Sequence, residues 1–221
     1  MSCFSHSWDK SSQDARRLQM KLATHVIRKN RLGAVKTVAG IDVGIKGDMA
    51  CAAVVVLNFP GLDITAQSTA TRRVTCPYIP GLLSFREGPV ILDVLEKLAT
   101  KPDLIIFDGQ GVAHPRRLGI ASHIGLLADI PTIGCAKSRL CGQHEEPEFE
   151  KGNYVPLVDQ SETIGAVVRT RSRIKPMFVS VGHRVDLKTS IKYVLSCCQC
   201  YRLPETTRQA HHLAATFPDI S

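Results

Sequence analysis

Two short apolar runs end on aspartate, Thr37-Val38-Ala39-Gly40-Ile41-Asp42 and Leu104-Ile105-Ile106-Phe107-Asp108, and they constrain this chain more than any other feature. Short β-branched runs bounded by glycine read as buried strands. Ligands of open α/β sheets collect at the carboxyl ends of such strands. Two carboxylates brought together there repel unless a cation lies between them, and paired hard oxygen ligands suit Mg²⁺ or Mn²⁺. Taken singly, each aspartate reads equally well as the cap of the next turn. As a pair in a basic chain they point to a metal site.

Charge supports that direction. Lys and Arg number 28 against 20 acids, a net charge of +8, which suits a polyanionic partner whose counterions the cations release. No basic amphipathic helix or lipidation motif argues for a membrane surface. The apolar run at 50–59 is too short to span a bilayer, and the first ten residues lack the charged start and long apolar stretch of a secretory signal. A cytoplasmic protein is therefore expected, monomeric and without a membrane partner. The eight cysteines fit reduced, structural thiols: Cys51 and Cys135 lie in apolar runs, and Cys197-Cys198-Gln199-Cys200 has no second ligand pair at zinc-finger spacing.

At 221 residues the chain is long enough for one domain with a substantial core. Leu18, Leu22, Val26 and Ile27 predict a helix from 11 to about 29, preceded by a flexible extension over about 1–10. Extended runs at 37–42, 50–57 and 63–70 predict an antiparallel meander. A helix is expected at 89–98 with Glu87 just before it or in its first turn. A strand at 104–107, a helix near 118–128 and a strand at 131–135 follow. Beyond these come a hairpin at 155–159 and 164–170, a strand at 177–181, and helices near 187–197 and 205–216. A meander followed by alternating helix and strand implies one α/β domain, a mixed sheet flanked by helices.

Three acids, Asp42, Glu87 and Asp108, form the candidate chemical centre. A phosphodiester repels incoming nucleophiles with its own charge, and divalent metals held by carboxylates answer that problem. His114 could bind metal, move a proton or contact phosphate. Arg116 and Arg117 read either as phosphate clamps or as a solvated loop. Lys137, just past a strand end, could stabilise developing charge or simply be exposed. His211 and His212 cannot both face one way on a helix; surface exposure and one metal contact are both open. Pro77-Tyr78-Ile79-Pro80 is stiff enough to present an aromatic to an unstacked base or to wedge a duplex, and a buried turn is the alternative.

Taken in order, Asp42-Val43, Pro77-Tyr78-Ile79-Pro80-Gly81, Ser84-Phe85-Arg86-Glu87, Asp108-Gly109-Gln110-Gly111, His114-Pro115-Arg116-Arg117-Leu118-Gly119 and Gly134-Cys135-Ala136-Lys137-Ser138 resemble endonuclease V, most closely the bacterial members. The resemblance runs from about Leu18 to about Leu213. It implies a ribonuclease H-like fold and Mg²⁺-dependent DNA repair cleavage near deaminated bases, chiefly deoxyinosine. The expected nick falls at the second phosphodiester 3′ to the lesion and leaves 3′-hydroxyl and 5′-phosphate ends. By motif, Asp42, Asp108 and Glu87 are the metal centre, with His211 an additional candidate, and His114 and Lys137 support catalysis. Pro77, Tyr78, Ile79 and Pro80 match the wedge, and Gly81, Gly111, Gly134 and Leu140 fall in segments lining the base pocket. Inosine-containing RNA is an alternative substrate, and a lesion-binding protein that does not cut is a third reading. Gly44, Gln110 and Cys135 depart from residues that many members carry there.

Overall fold

A computed structural model describes residues 4–216. Its centre is an eight-stranded mixed sheet in the order β3-β2-β1-β4-β5-β8-β7-β6. The expected meander forms it on one side: β1 (Thr37–Lys46), β2 (Met49–Asn58) and β3 (Ile64–Arg73) pair antiparallel. β4 (Leu104–Phe107) and β5 (Thr132–Ala136) then add in parallel. β8 (Met177–His183), β7 (Glu162–Val168) and β6 (Tyr154–Asp159) complete the sheet antiparallel.

Alternation along β4 shows how the sheet is covered. Leu104 and Ile106 pack with Ile191, Val194 and Ala210, whereas Ile105 and Phe107 pack with Val90, Ile91 and Ile124. Successive strand side chains point to opposite faces. One face therefore carries α4 (Leu187–Cys197) and α5 (Glu205–Ala215), and the other α2 (Leu83–Glu96) and α3 (Ile120–Ala128). All four β4 side chains are buried, as a central parallel strand requires. The seven cysteines among the described residues are free.

Three expectations change. The first helix, α1, spans only Ser12–Ala23, capped by Ser11; Ile27 lies beyond it, its carbonyl accepting from the Arg184 N–H. α2 begins six residues before Pro89, which lies inside it, so Glu87 sits in the second turn. Its first turns are held by tertiary burial of Ser84, Phe85 and Gly88, which overrides the usual placing of proline at a helix start. Residues 4–10 are not a free extension: Trp8 packs over Gly88 and His6 reaches His123.

Candidate active site

Pairing between the parallel neighbours β1 and β4 stops at Ile41 opposite Phe107. The next residue on each strand is an aspartate, so register alone sets Asp42 and Asp108 side by side. β1 itself runs on to Lys46 with β2; the boundary at Asp42 is where β4 ends, not where β1 ends. Lys137 follows the last residue of β5, and its Nζ lies 2.5 Å from Asp108. α5 rests directly on β1, where a Cβ at Gly40 would stand 2.1 Å from the Thr206 carbonyl oxygen. Only glycine admits that approach, and it lets α5 carry His211 Nδ1 to 2.8 Å from Asp42 Oδ2.

Glu87 arrives from α2. Burial first, then the charges of Asp42 and Asp108, raise its pKa to about 8, with Arg86 opposing them. Among the described residues no three His, Cys, Asp or Glu side chains converge at metal-ligand spacing, because Asp42 turns to His211 and Asp108 to Lys137. The donor set still fits a hard cation. It is all carboxylate oxygen, and the acid-crowded surroundings of Glu87 are what a divalent ion relieves.

Beside the acids opens a cavity of about 340 Å³, whose wall includes Tyr78, Gly81, Leu83, Asp108, Gln110, His114, Ile120, Lys137 and Leu140. Tyr78 stands at it with 62% of its surface exposed. Behind Tyr78 the loop is pinned at one atom. The Gly81 carbonyl accepts from Gln19 Nε2 at 3.0 Å, His114 Nε2 at 3.0 Å and Arg116 Nη2 at 2.8 Å. Gly81 itself has φ +79°, a backbone state open to glycine. A flat ligand held between apolar walls beside Asp108 is what this arrangement admits.

Residues 20–212 match the family model of endonuclease V. The chain belongs to the endonuclease V family. It is 51% identical over 212 residues to an endonuclease V of Roseiflexus sp. (strain RS-1), covering 96% of each chain. Among solved structures, an endonuclease V from Streptomyces avermitilis has 43% identity and a TM-score of 0.90, with 95% and 93% of the two chains covered. An endonuclease V of Ciona intestinalis, in complex with a 23mer DNA containing an inosine followed by a ribo-adenosine, has 29% identity and a TM-score of 0.81, with 93% and 97% covered. The fold is therefore the ribonuclease H-like fold, and the protein is a nuclease.

The motif residues separate into several roles. Asp42 with His211 and Asp108 with Lys137 meet at the strand ends, Glu87 on α2 feels the charge of both acids, and Tyr78, Gly81, His114 and Leu140 reach the cavity. His114 is not free for metal or phosphate. Its Nδ1 accepts from the Arg116 backbone N–H at 3.1 Å, which leaves the proton on Nε2 for Gly81. Burial, then Arg116, lowers its pKa to about 4, so the ring is neutral. Arg116 is spent on Gly81 and on Gln19 Oε1 at 2.6 Å. Arg117 is a strut, not a phosphate clamp: it binds Asp159 at 2.9 Å and Glu162 at 2.7 Å on β6 and β7.

Gly111 and Gly134 do not line the cavity. They pack behind it, where a Cβ on Gly111 would meet the Val181 carbonyl oxygen at 2.0 Å and one on Gly134 the Gly111 nitrogen at 2.3 Å. Ile79 is half-buried against Ala15, Leu82 and Phe85; Pro77 and Pro80 are exposed and stiffen the loop. Sequence reasoning missed Gln19, which is 1% exposed and ties α1 to Gly81 and to the Leu118 carbonyl. A glutamine on the apolar side of a predicted helix was the signal available.

Proposed function

We propose that the protein is a DNA repair endonuclease that draws a deaminated base, chiefly hypoxanthine, into the cavity beside Tyr78. It then cuts the second phosphodiester on the 3′ side of the lesion. One observation carries this reading: Asp108 lines a base-sized cavity in a basic protein of this family, with Asp42 beside it across the β1–β4 pairing and Glu87 close enough to feel the charge of both. The inosine-containing DNA bound by the Ciona intestinalis relative supports the choice of lesion.

Asp42, Asp108 and Glu87 would hold Mg²⁺, with Mn²⁺ as a substitute; when bound, the ion neutralises phosphate oxygens, acidifies water and stabilises the leaving oxyanion. The chain supplies the rest. Lys137, close to Asp108, places an ammonium where negative charge builds on the phosphate. His211 orients the Asp42 carboxylate through Nδ1. Tyr78 offers a ring face at the cavity mouth, held by the pinned Gly81 carbonyl, so the base that leaves the helix meets a fixed surface. Extrusion is easiest for a weakly paired base, which favours inosine.

The test is a nick map on duplexes with one inosine and on unmodified duplexes, with Mg²⁺ or with chelator. Mg²⁺-dependent cutting of the inosine strand alone, with 3′-hydroxyl and 5′-phosphate ends, is the expected result. Asp42→Asn and Asp108→Asn should lower the nicking rate by at least about a hundredfold while lesion binding stays measurable. Full nicking by either variant, or cutting that ignores inosine, overturns the reading. A matched RNA oligonucleotide in the same series reports any demand for the 2′-hydroxyl.

A further inference from the structure

A second cleft, of about 530 Å³, meets the first at Lys137. Its wall holds Lys137, Arg171, Arg202, Arg208, His211 and His212 around Tyr201; among the described residues no acid lines it, and Arg208 is paired with Glu205 behind it. Lys137 and His211 are the partners of Asp108 and Asp42, so the cleft starts at the catalytic carboxylates and leads away from them. Arg202 is fixed in place by the carbonyls of Lys137 and Pro176, at 2.9 and 2.8 Å. Those acceptors carry no formal charge, and the half-buried guanidinium feels the Asp108 carboxylate as well. Arg171 is exposed. Tyr201 is 52% exposed, with the Arg208 guanidinium 4.7 Å from its ring centre.

We propose that this cleft takes the nucleic-acid strand on the 3′ side of the cut, with phosphates on Arg171 and Arg202 and one unpaired base stacked on Tyr201. The inference rests on the reading above, in which the lesion base enters the cavity and the cut falls 3′ to it. With the base in the cavity and the scissile phosphate at the acids, the following nucleotides leave past Lys137 and His211 into this cleft. A cationic track beside an exposed aromatic is the usual platform for a single strand, because every base has a stacking face. Within a duplex that face is covered by its neighbours, so the stacked nucleotide is an unpaired one.

Binding measured without divalent cation tests this, using single-stranded inosine oligonucleotides with a fixed 5′ flank and short, medium or long 3′ flanks. A second set extends only the 5′ side. The wild-type protein should bind more tightly as the 3′ flank lengthens. Arg171→Ala and Tyr201→Ala should each weaken the long-3′ ligand by about fivefold or more and leave the short-3′ ligand unchanged. Tyr201→Phe should restore binding, and Arg171→Ala should lower the salt slope by about one on the long-3′ ligand only. Equal weakening at every length, weakening that follows the 5′ flank, or no weakening overturns the proposal; a lost Phe rescue overturns the stacking. Adenine in place of inosine tests the lesion reading separately: failure to discriminate sinks that reading, while dependence on 3′ length still decides the role of the cleft.

Discussion

At the scale of single residues the site is organised around a carbonyl rather than around a side chain. Three donors, Gln19 from α1 and His114 and Arg116 from the loop before α3, converge on the Gly81 oxygen. They fix the loop that presents Tyr78. Gly81→Ala therefore disturbs more than its own backbone: φ +79° is strained for alanine, and the new Cβ would stand 2.8 Å from Arg116 Nη2. Stability should fall by about 1–3 kcal/mol in a denaturant titration. Discrimination of inosine from adenine should drop more than the rate of the cut itself. His114→Gln keeps a donor near Gly81 and should do less damage than His114→Ala; equal losses would mean the ring acts by something besides that hydrogen bond. The sequence marked His114 and Arg116 because their chemistry is conspicuous. It could not mark their acceptor, since a carbonyl belongs to every residue. Arg117 misled for the complementary reason: two adjacent arginines look alike in a string, and only the fold shows that one meets Asp159 and Glu162.

At the scale of elements, α2 links the amino-terminal segment to the acids. Trp8 lies on Gly88, next to Glu87, and His6 Nε2 sits 2.8 Å from His123 Nε2, whose Nδ1 is 2.8 Å from Ser84 Oγ on α2. A Cβ on Gly88 would come within 2.5 Å of the Trp8 ring. Trp8 is the protein's one tryptophan, so its fluorescence reports the contact without interference. Gly88→Val should push the ring outward, shift its emission to longer wavelength and increase its quenching by iodide, while circular dichroism keeps the helical signal. An unshifted spectrum would show that the segment does not depend on Gly88. The strands were legible to within a few residues because their apolar runs are short and well bounded, and Asp42 beside Asp108 followed from them. The start of α2 was not. Pro89 is a strong local signal, while the burial that extends the helix upstream is supplied by residues 4–10 and by α3, which no local window contains.

At the scale of the molecule, the sheet buries polar groups that tie stability to pH. His123 and His183 are 0% and 2% exposed. Burial, with smaller contributions from His6 and His114, lowers the pKa of His123 to about 3. Burial and then Arg184 lower that of His183 to about 4, against a smaller opposing pull from Asp129. Both lie below the ordinary histidine value near 6.5, so between those limits the unfolded chain binds more protons than the folded one. Their contribution is therefore complete above about pH 6.5 and is lost as pH falls toward 4 and then 3. They are worth on the order of 3 kcal/mol for His183 and about 5 kcal/mol for His123. From pH 8 to 7 the rings add no slope and Glu87, held at about 8, raises the denaturant midpoint; from 6.5 to 4 the rings lower it against the smaller opposing slope of Glu87. His183→Asn keeps an acceptor for the Ile27 N–H, which the native ring meets at 3.3 Å, and removes the titration. That variant should flatten the part of the slope nearest pH 4–6. A slope unchanged by the substitution would place the acid sensitivity in His114 and His123 and not in His183.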